Sequence, residues 1–363
     1  MKKYIPQIEP WIQKDEVREI SEVVRSTFIS ENKKTELFLS LIKEFTGSKY
    51  AIAISNGTLA LAACLMAENI GPGDEVIVPD LTFIATANAV ILTGAKPVFC
   101  DVDRETGCID SDDMLQCITK RTRAVIPVHL YGLMAEMASI NRIAQAHHLV
   151  VIEDAAEAFG VFYNKKHAGT YGSYGTFSFY ANKTITCGEG GVILTDALKR
   201  YKQIYRVKNH GRDKKGTFIH KSIGYNFCFS DLNAAIGVAQ FKKIDTIMSR
   251  KKRNFDTYKK RLSHLNGIKI MEPDRRTRSN YWFCNVLTQK PAAFASYLHE
   301  HGVGTRRLFY PLHLQPCYKG LVSKRQYESS TRLYSKGLSL PSSSTLTLKE
   351  LHYICDLIER YFK

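Results

Sequence analysis

Short apolar runs alternate with helical patterns between about residues 50 and 195, and this alternation constrains the fold more than any other feature. Strands are predicted at residues 50–54, 76–78, 97–99, 124–128, 149–152 and 192–195, and helices at 59–67, 83–92, 111–118 and 140–146. A repeated strand–helix order favours a largely parallel sheet with helices over both faces. We therefore predict an α/β fold built on a mostly parallel mixed sheet.

The pattern changes after about residue 230, which indicates a second, smaller domain. Ser230 is a candidate helix cap, and a very basic helix is expected over residues 248–262. Aromatic runs at 281–283 and 309–310 suggest strands, and a T-x-x-E capping box at 347–350 opens a final amphipathic helix. We therefore predict that this part of the chain is an α+β domain.

The length of 363 residues suggests two or three domains. We predict a large domain over residues 1–240 and a small C-terminal domain over residues 241–363, with the N-terminal segment able to pack on the small domain. The composition, 44% hydrophobic and 24% charged, indicates a globular chain rather than a disordered one.

Neither a membrane span nor a secretory leader is expected. No apolar run approaches the roughly 20 residues that span a bilayer, and residues 1–6 lack the apolar core of a signal peptide. The nine cysteines include no C-x-x-C pair and no metal-ligand spacing, which is typical of reduced thiols in a cytoplasmic protein. We expect no metal, no membrane partner and a cytoplasmic location.

The formal net charge of +16 makes phosphorylated metabolites, nucleic acids and membrane surfaces candidate partners. The basic residues form short groups, such as 250–253 and 275–278, and there is no long basic tail. A solvated basic face explains this pattern better than a nucleic-acid footprint does. We therefore expect no nucleic acid among the partners.

Lys183 lies in a stretch, residues 175–191, that otherwise lacks positive charge. The glycines that follow it, at 188, 190 and 191, allow the backbone to approach a ligand closely or to adopt positive φ. A lysine in an uncharged pocket can lose its proton near neutral pH and attack a carbonyl carbon, which is the chemistry of a Schiff base. The alternative is an ordinary surface lysine on a glycine-rich loop.

The loop at residues 55–58 stands between a predicted strand and a predicted helix. Backbone N–H groups at the start of that helix, together with the hydroxyl of Thr58, would bind a phosphate. Ser178 would add a second hydroxyl. The alternative is an Asn-Gly turn that only caps the helix.

The loop at residues 153–158 carries Asp154 and Glu157 at the end of a predicted buried strand. A buried carboxylate is costly unless it meets a cation, so Asp154 would hold a protonated ring nitrogen and Glu157 a neighbouring polar substituent. The alternative is a pair of acids that complement the dipole of a following helix. Together, a lysine, an acid and a phosphate site meet the requirements of pyridoxal 5'-phosphate (PLP), and Phe83 would stack on its ring.

These motifs resemble those of the DegT/DnrJ/EryC/StrS family of PLP-dependent sugar aminotransferases. The resemblance covers nearly the whole chain and is carried by residues 55–61, 71–79, 127–132, 151–158 and 176–191. It implies the type I fold of PLP-dependent transferases, which is aspartate aminotransferase-like. Within the family, residues 127–132 and 179–186 look most like enzymes that aminate carbon 4 of a nucleotide-linked sugar.

The resemblance implies a role for each motif residue. Lys183 would bind the cofactor and later move the proton. Asp154 would pair with the ring nitrogen, Glu157 would lie near the ring hydroxyl, and Phe83 would stack on the ring. The residues around the phosphate would be Asn56, Gly57, Thr58 and Ser178.

The resemblance also implies a homodimer with shared active sites, in which Asn226 reaches the phosphate of the neighbouring subunit. Ser30, Tyr310 and His313 would lie at the substrate site. These four residues are distant in sequence from Lys183, so only the resemblance brings them into the site.

The implied activity transfers an amino group from L-glutamate to a nucleotide-linked 4-keto-6-deoxyhexose, within O-antigen and lipopolysaccharide biosynthesis. Related 3-aminotransferases and 3-dehydratases are alternatives, although the dehydratases carry histidine in place of Lys183. A regulator of the same fold without turnover is another alternative. Two departures from the family pattern bear on the sugar and nucleotide: Cys228 stands where arginine is common, and Arg307 where proline is usual.

Overall fold

The computed structural model describes residues 4–214, 216–323 and 325–363. The strands within these residues are β1 Tyr50–Ile54, β2 Glu75–Pro79, β3 Lys96–Cys100, β4 Thr122–Val125, β5 Val150–Asp154, β6 Phe162–Tyr163, β7 Lys166–His167, β8 Tyr174–Ser178, β9 Gly191–Thr195, β10 Ile268–Ile270, β11 Thr277–Arg278, β12 Cys284–Thr288, β13 Arg306–Arg307 and β14 Gly337–Leu340.

The helices within the same residues are α1 Lys14–Ser26, α2 Lys33–Thr46, α3 Gly57–Ala67, α4 Ala85–Leu92, α5 Ser111–Gln116, α6 Met137–Ala146, α7 Leu198–Lys208, α8 Asp231–Phe241, α9 Ile244–Leu262, α10 Pro291–Glu300, α11 Glu328–Lys336 and α12 Leu348–Phe362. Short 3-10 turns lie at Leu130–Gly132, Leu312–Leu314 and Pro316–Tyr318. None of these helices combines the length and apolar character needed to cross a bilayer.

The main sheet has seven strands in the order β1–β9–β8–β5–β4–β2–β3. β9 runs antiparallel to its neighbours β1 and β8, and the other adjacent pairs are parallel. The prediction of a mostly parallel mixed sheet is therefore confirmed. Because β1, β2, β5 and β8 run in the same direction, the loops that follow them meet at one edge of the sheet.

The strands of the main sheet are buried on both faces. Along β1, Ile52 and Ile54 pack in an apolar layer with α3 and α4, whereas Ala51 and Ala53 pack in a second layer that includes Phe38 of α2. Successive strand residues point to opposite faces, so a strand between two layers needs apolar residues at every position. This is why the strand segments could be read from the sequence as continuous apolar runs.

A second sheet is antiparallel throughout and has the order β10–β12–β14–β13. Helices α9, α10 and α12 contribute to its apolar cluster, which also contains Ile5 from the N-terminal segment. The N–H of Ile5 donates to the carbonyl of Gly302 at 2.9 Å. The boundary between residues 240 and 241 that the sequence suggests stays a prediction.

The strands expected at 281–283 and 309–310 were wrong, and the reasons are local. Tyr281 has a φ of 48°, a left-handed conformation that a strand does not accommodate, so β12 begins only at residue 284. The N–H of Phe309 donates to the hydroxyl of Tyr131 at 2.9 Å instead of to a neighbouring strand. Trp282, Phe283 and Phe309 belong to one apolar cluster with Tyr131, so they contribute to packing without forming part of a strand.

One buried carboxylate, that of Asp231, joins two helix starts. It is 3% exposed and lies at the first position of α8, where an acid complements the helix dipole. Its Oδ1 accepts the N–H groups of Asn32 and Thr35, at 2.7 and 3.0 Å, and its Oδ2 accepts the N–H of Lys34 at 3.0 Å. Asp231 therefore satisfies N–H groups at the start of α2 that have no partner within that helix.

We expect Asp231→Asn to lower the free energy of unfolding by about 1–3 kcal/mol, because the amide replaces one accepting oxygen with a donor and leaves the N–H of Lys34 unsatisfied. Urea denaturation followed by circular dichroism measures the change. Asp245→Asn is the matched control, since Asp245 is an exposed acid in the first turn of α9. Equal effects of the two substitutions would contradict the capping role.

Candidate active site

A cleft of about 650 Å³ lies where the loops after β1, β2, β5 and β8 meet. Local sequence patterns could not show that these loops share one cavity, because the loop after β1 begins at residue 55 and the loop after β8 only at residue 179. The structure brings together eight of the predicted site residues in its walls: Asn56, Gly57, Thr58, Phe83, Asp154, Glu157, Ser178 and Lys183.

Lys183 occupies the turn after β8, where its backbone N–H donates to the carbonyl of Tyr180 at 2.9 Å. Its side chain is 15% exposed, and Nζ lies 3.8 Å from Oε1 of Glu157 and 4.4 Å from the ring centroid of Trp282. Burial lowers the pKa of the lysine, the carboxylates of Glu157 and Asp154 oppose this effect, and Arg306 adds to it. The ammonium group is therefore easier to deprotonate than that of a surface lysine.

Asp154 is the last residue of β5 and is 5% exposed. The hydroxyl of Thr86 donates to its Oδ2 at 2.8 Å, and the N–H of Ala156 donates to its Oδ1 at 3.2 Å. Burial raises the pKa of this carboxyl, and these two hydrogen bonds and Lys183 counter part of the rise. Residues 155–160 form turns and no helix, so the alternative of a helix-dipole pair was wrong.

Glu157 is also 5% exposed, and a different segment of the chain holds its carboxylate. The N–H of Tyr131 donates to its Oε2 at 2.7 Å. Burial raises the pKa of Glu157 to about 7, although Lys183 and the N–H of Tyr131 act in the other direction. Near neutral pH this carboxyl is thus poised to hold or release a proton beside Nζ of Lys183.

The start of α3 forms a concave cradle beside Ser178. The side chain of Asn56 caps the helix by accepting the N–H of Leu59 at 2.9 Å, which leaves the first backbone N–H groups available for an anion. A Cβ at Gly57 would lie 3.0 Å from Cβ of Ser178, so only glycine permits this close approach without displacement. Thr58 and Ser178 complete the cradle with two hydroxyl groups.

The cleft therefore fits PLP by its chemistry. A helix N-terminus would bind the phosphate, and a buried carboxyl would pair with the ring nitrogen. A lysine with a lowered pKa would react with the aldehyde. Phe83 is 56% exposed on the cleft wall and lies 5.8 Å from the ring of Phe309. Asn182, also in the wall, has a buried Oδ1 without a hydrogen-bond partner among the described residues. Such an oxygen is available to a bound molecule.

Four predicted site residues lie outside the cleft walls of the chain. Nδ1 of His313 lies 2.6 Å from Oδ2 of Asp80, in a separate depression. Tyr310 packs edge-on against Tyr334 at 5.0 Å. The remaining two are on the surface of the described chain: Ser30, which pairs with residue 230, and Asn226. Their predicted roles stay predictions.

Sequence reasoning missed three residues that contribute to the cleft. Arg306 and Trp282 line it, and Thr86 orients Asp154. The aromatic pattern predicts Trp282 in a strand, and Thr86 falls within a predicted helix without a signal of its own. No local pattern marks these positions, because each depends on packing between segments far apart in the chain.

The two departures from the family pattern lie in different surroundings. The guanidinium of Arg307 donates to the backbone carbonyls of Tyr334 and Gly337 at 2.6 and 3.2 Å, so it anchors β13 to the junction between α11 and β14. Cys228 is exposed, close in sequence to Asn226, and its Sγ lies 3.7 Å from the carbonyl of Lys208.

The fold and the cleft define a PLP-dependent transferase of type I. The family model for the DegT/DnrJ/EryC1/StrS aminotransferase family matches residues 10–359, and the chain belongs to this family of PLP-dependent aminotransferases. It is 37% identical over 364 residues to GDP-perosamine synthase from Escherichia coli O157:H7, with 99% of each chain covered. For GDP-perosamine synthase from Vibrio cholerae the identity is 33%, again with 99% of each chain covered.

Among solved structures, DesV from S. venezuelae superposes with a TM-score of 0.95 and 28% sequence identity, covering 100% of this chain and 99% of that chain. The aminotransferase PseC from Helicobacter pylori, which is involved in the biosynthesis of pseudoaminic acid, gives a TM-score of 0.93 and 27% identity, with 99% of each chain covered. The expected fold type and cofactor are thereby confirmed.

The raised pKa of Glu157 makes the stability of the cofactor-free protein depend on pH. Between its ordinary pKa of 4.5 and about 7, the unfolded chain releases this proton while the folded chain retains it, so folding stability falls as pH rises. We expect Glu157→Gln to remove this loss. The stability of the variant relative to the wild type should increase by up to about 3 kcal/mol across this window and level off above it.

Urea denaturation of the cofactor-free protein at a series of pH values measures this difference. Any effect of the substitution on stability that is the same at every pH does not affect the comparison, because only the change of the difference with pH is tested. Glu36→Gln, at an exposed position of α2, is the control and should track the wild type. A difference between Glu157→Gln and the wild type that does not change with pH would refute the argument.

Proposed function

We propose that the protein transfers the amino group of L-glutamate to carbon 4 of a nucleotide-linked 4-keto-6-deoxyhexose and forms the 4-amino-4,6-dideoxy sugar. The observation that carries the proposal is the meeting of Lys183, Asp154 and Glu157 in one cleft beside the helix cradle at Gly57. The identity to two GDP-perosamine synthases over 99% of their length supports this choice of substrate.

Bound PLP would supply an aldehyde for imine formation and a ring that accepts electrons from the substrate carbon. In our proposal the carboxylate of Asp154, held by Thr86, keeps a proton on the ring nitrogen. Lys183 would be the nucleophile and the base: its Nζ would move the proton between the α-carbon of the donor and the cofactor. Glu157 holds a proton near Nζ, and Phe83 covers one face of the ring.

Arg306 extends the proposal to the substrates. Lys183 and Arg306 are the two cationic side chains in the described cleft walls, and Arg306 is the more exposed of them. Both substrates are anionic, since glutamate carries carboxylates and a nucleotide sugar carries a diphosphate. We assign Arg306 to binding that negative charge at the mouth of the cleft.

A homodimer with shared sites is the second part of the proposal. Exposed apolar side chains cluster in the segment that leads to Asn226: Phe218, Ile219 and Ile223 are 84%, 75% and 85% exposed. Such a surface is typical of an interface. Asn226 itself is exposed and is not among the residues that line the described cleft of its own chain, which agrees with a role in the cleft of a second copy.

The remaining alternatives are a 3-aminotransferase, a 3-dehydratase and a regulator without turnover. Lys183 argues against the dehydratase, whose family members carry histidine there. The location in the cytoplasm and the place in O-antigen and lipopolysaccharide biosynthesis belong to the same proposal. They follow from the substrate, since nucleotide sugars are the activated precursors of such polymers.

We expect Lys183→Ala to abolish amino transfer, with a loss of at least about 10³-fold, because no other lysine lines the described cleft. The assay couples glutamate to ketosugar and detects the amino sugar by mass spectrometry. Lys199→Ala, at an exposed position of α7, should keep full activity. Retained turnover in the Lys183 variant would disprove its role.

The substrate itself is identified by offering the wild type glutamate with GDP-, UDP- and dTDP-linked 4-keto and 3-keto sugars in parallel. We expect the GDP-linked 4-keto sugar to be aminated at the highest kcat/KM. Glutamate alone should bleach the visible absorbance of the bound cofactor. A preference for a 3-keto sugar would redirect the proposal to the 3-aminotransferases, and no bleaching would favour a regulator.

Shared sites are tested by complementation. We expect Lys183→Ala and Asn226→Asp each to be inactive alone, since an acid at position 226 repels phosphate. If the two residues act on one site from different subunits, mixed dimers contain one site with both changes and one intact site. Activity should therefore reappear when the two variants are refolded together. Failure to recover activity, with mixed dimers verified by distinct tags, would place Asn226 in its own subunit.

A further inference from the structure

Two buried cysteines outside the active-site cleft face each other. Cys100 is the last residue of β3 and Cys117 follows the last turn of α5, and they are 0% and 4% exposed. Their Sγ atoms and one carboxylate oxygen of Asp113 all lie within 4.8 Å of one another. None of the three residues lines the cleft around Lys183.

The two thiols are chemically unequal. The interaction with the Cys100 thiol and the guanidinium of Arg325 lower the pKa of Cys117, although burial and the carboxylate of Asp113 act in the other direction. Burial raises the pKa of Cys100 well above its ordinary range. Cys117 is also the more exposed of the two, at 4% against 0%, and the Cys100 sulfur lies within reach of it, which is the arrangement of an attacking and a resolving cysteine.

A metal ion is the competing use of this cluster, and the surroundings disfavour it. The carboxylate of Asp113 already accepts the N–H of Asp101 at 2.8 Å and pairs with Arg325. A cation would have to displace that guanidinium and share the cluster with its positive charge. Two sulfurs and one engaged carboxylate also fall short of the four ligands of a structural zinc site.

We propose that Cys100 and Cys117 form a reversible disulfide when the protein meets a peroxide. The Cys117 thiol releases its proton, and the thiolate attacks one oxygen of hydrogen peroxide. The O–O bond breaks, a sulfenic acid forms, and the hydroxide that leaves takes up the released proton to give water. The sulfur of Cys100 then attacks that of Cys117, the S–S bond forms and a second water leaves. Two thiols are oxidised by two electrons in total and one peroxide is reduced. A dithiol reverses the step by exchange.

The disulfide would close a loop over residues 101–116 and tie the end of β3 to the end of α5. Asp101, at the start of this loop, also anchors the first turn of α11. The carboxylate of Asp101 accepts the N–H groups of Ser329 and Ser330 at the start of α11, at 2.9 and 3.0 Å. The oxidised pair therefore lies where it can change the anchoring of α11.

The experiment treats the full-length holoenzyme with hydrogen peroxide in the native state, blocks remaining thiols with iodoacetamide and maps the peptides by mass spectrometry. We expect a linked pair of peptides containing Cys100 and Cys117, lighter by two hydrogens, which dithiothreitol separates. This main measurement needs no variant, so it does not depend on the folding of one. Cys64→Ser, at a buried lone thiol, should leave the link unchanged.

Cys100→Ser should remove the link and leave Cys117 as a sulfenic acid that dimedone captures. Recovery of both cysteines in their alkylated, reduced form, while Cys228 and Cys317 are oxidised, would overturn the proposal. So would links from either buried cysteine to those exposed ones. Protection of the pair from iodoacetamide by Zn²⁺, without any disulfide after peroxide, would show a metal site instead.

Discussion

Burial of Lys183 beside Asp154 and Glu157 is the interaction on which the candidate active site depends. Three ionisable groups share a space with little water, and burial there disfavours the charged form of each. Mutual attraction offsets part of that effect: Nζ of Lys183 lies 3.8 Å from Glu157, and both acids lower the cost of its charge. The outcome is a lysine with a lowered pKa beside an acid whose pKa is about 7. Lowering one pKa and raising the other brings the proton affinities of the two groups closer together, which favours proton transfer.

The main sheet fixes these groups through a second set of contacts. Glu153, the neighbour of Asp154, points to the opposite face of β5 and is fully buried. It accepts the N–H groups of Gly169, Tyr171 and Gly172 at 2.6–2.8 Å, and Nε2 of His129 lies 2.8 Å from it. A carboxylate with four such partners holds the strand end rigidly. The adjacent Asp154 is thereby positioned for chemistry rather than for stability.

The sequence revealed what local periodicity determines and missed what long-range packing determines. The strand of residues 50–54 was predicted with its observed bounds, because a strand buried on both faces shows its pattern in five residues. Asp154 and Lys183 were found because a carboxylate that leaves a buried strand, and a lone lysine ahead of a glycine-rich turn, each call for a bound partner. Arg306 was not found, because only the approach of β13 to the large sheet brings it to the cleft. The run at 281–283 was misread, since a single left-handed residue changes the local structure without changing the pattern.

The same buried charges link folding to cofactor binding. In the cofactor-free chain, burial keeps the pKa of both Asp154 and Glu157 above its ordinary value, so some folding free energy is lost at neutral pH. A ligand that presents a positive ring nitrogen to Asp154 and consumes the amine of Lys183 changes that balance. Binding to the folded state alone then raises stability by mass action. A site tuned for proton transfer is therefore also a site whose folding depends on occupancy, since both properties arise from the same desolvated carboxyl groups.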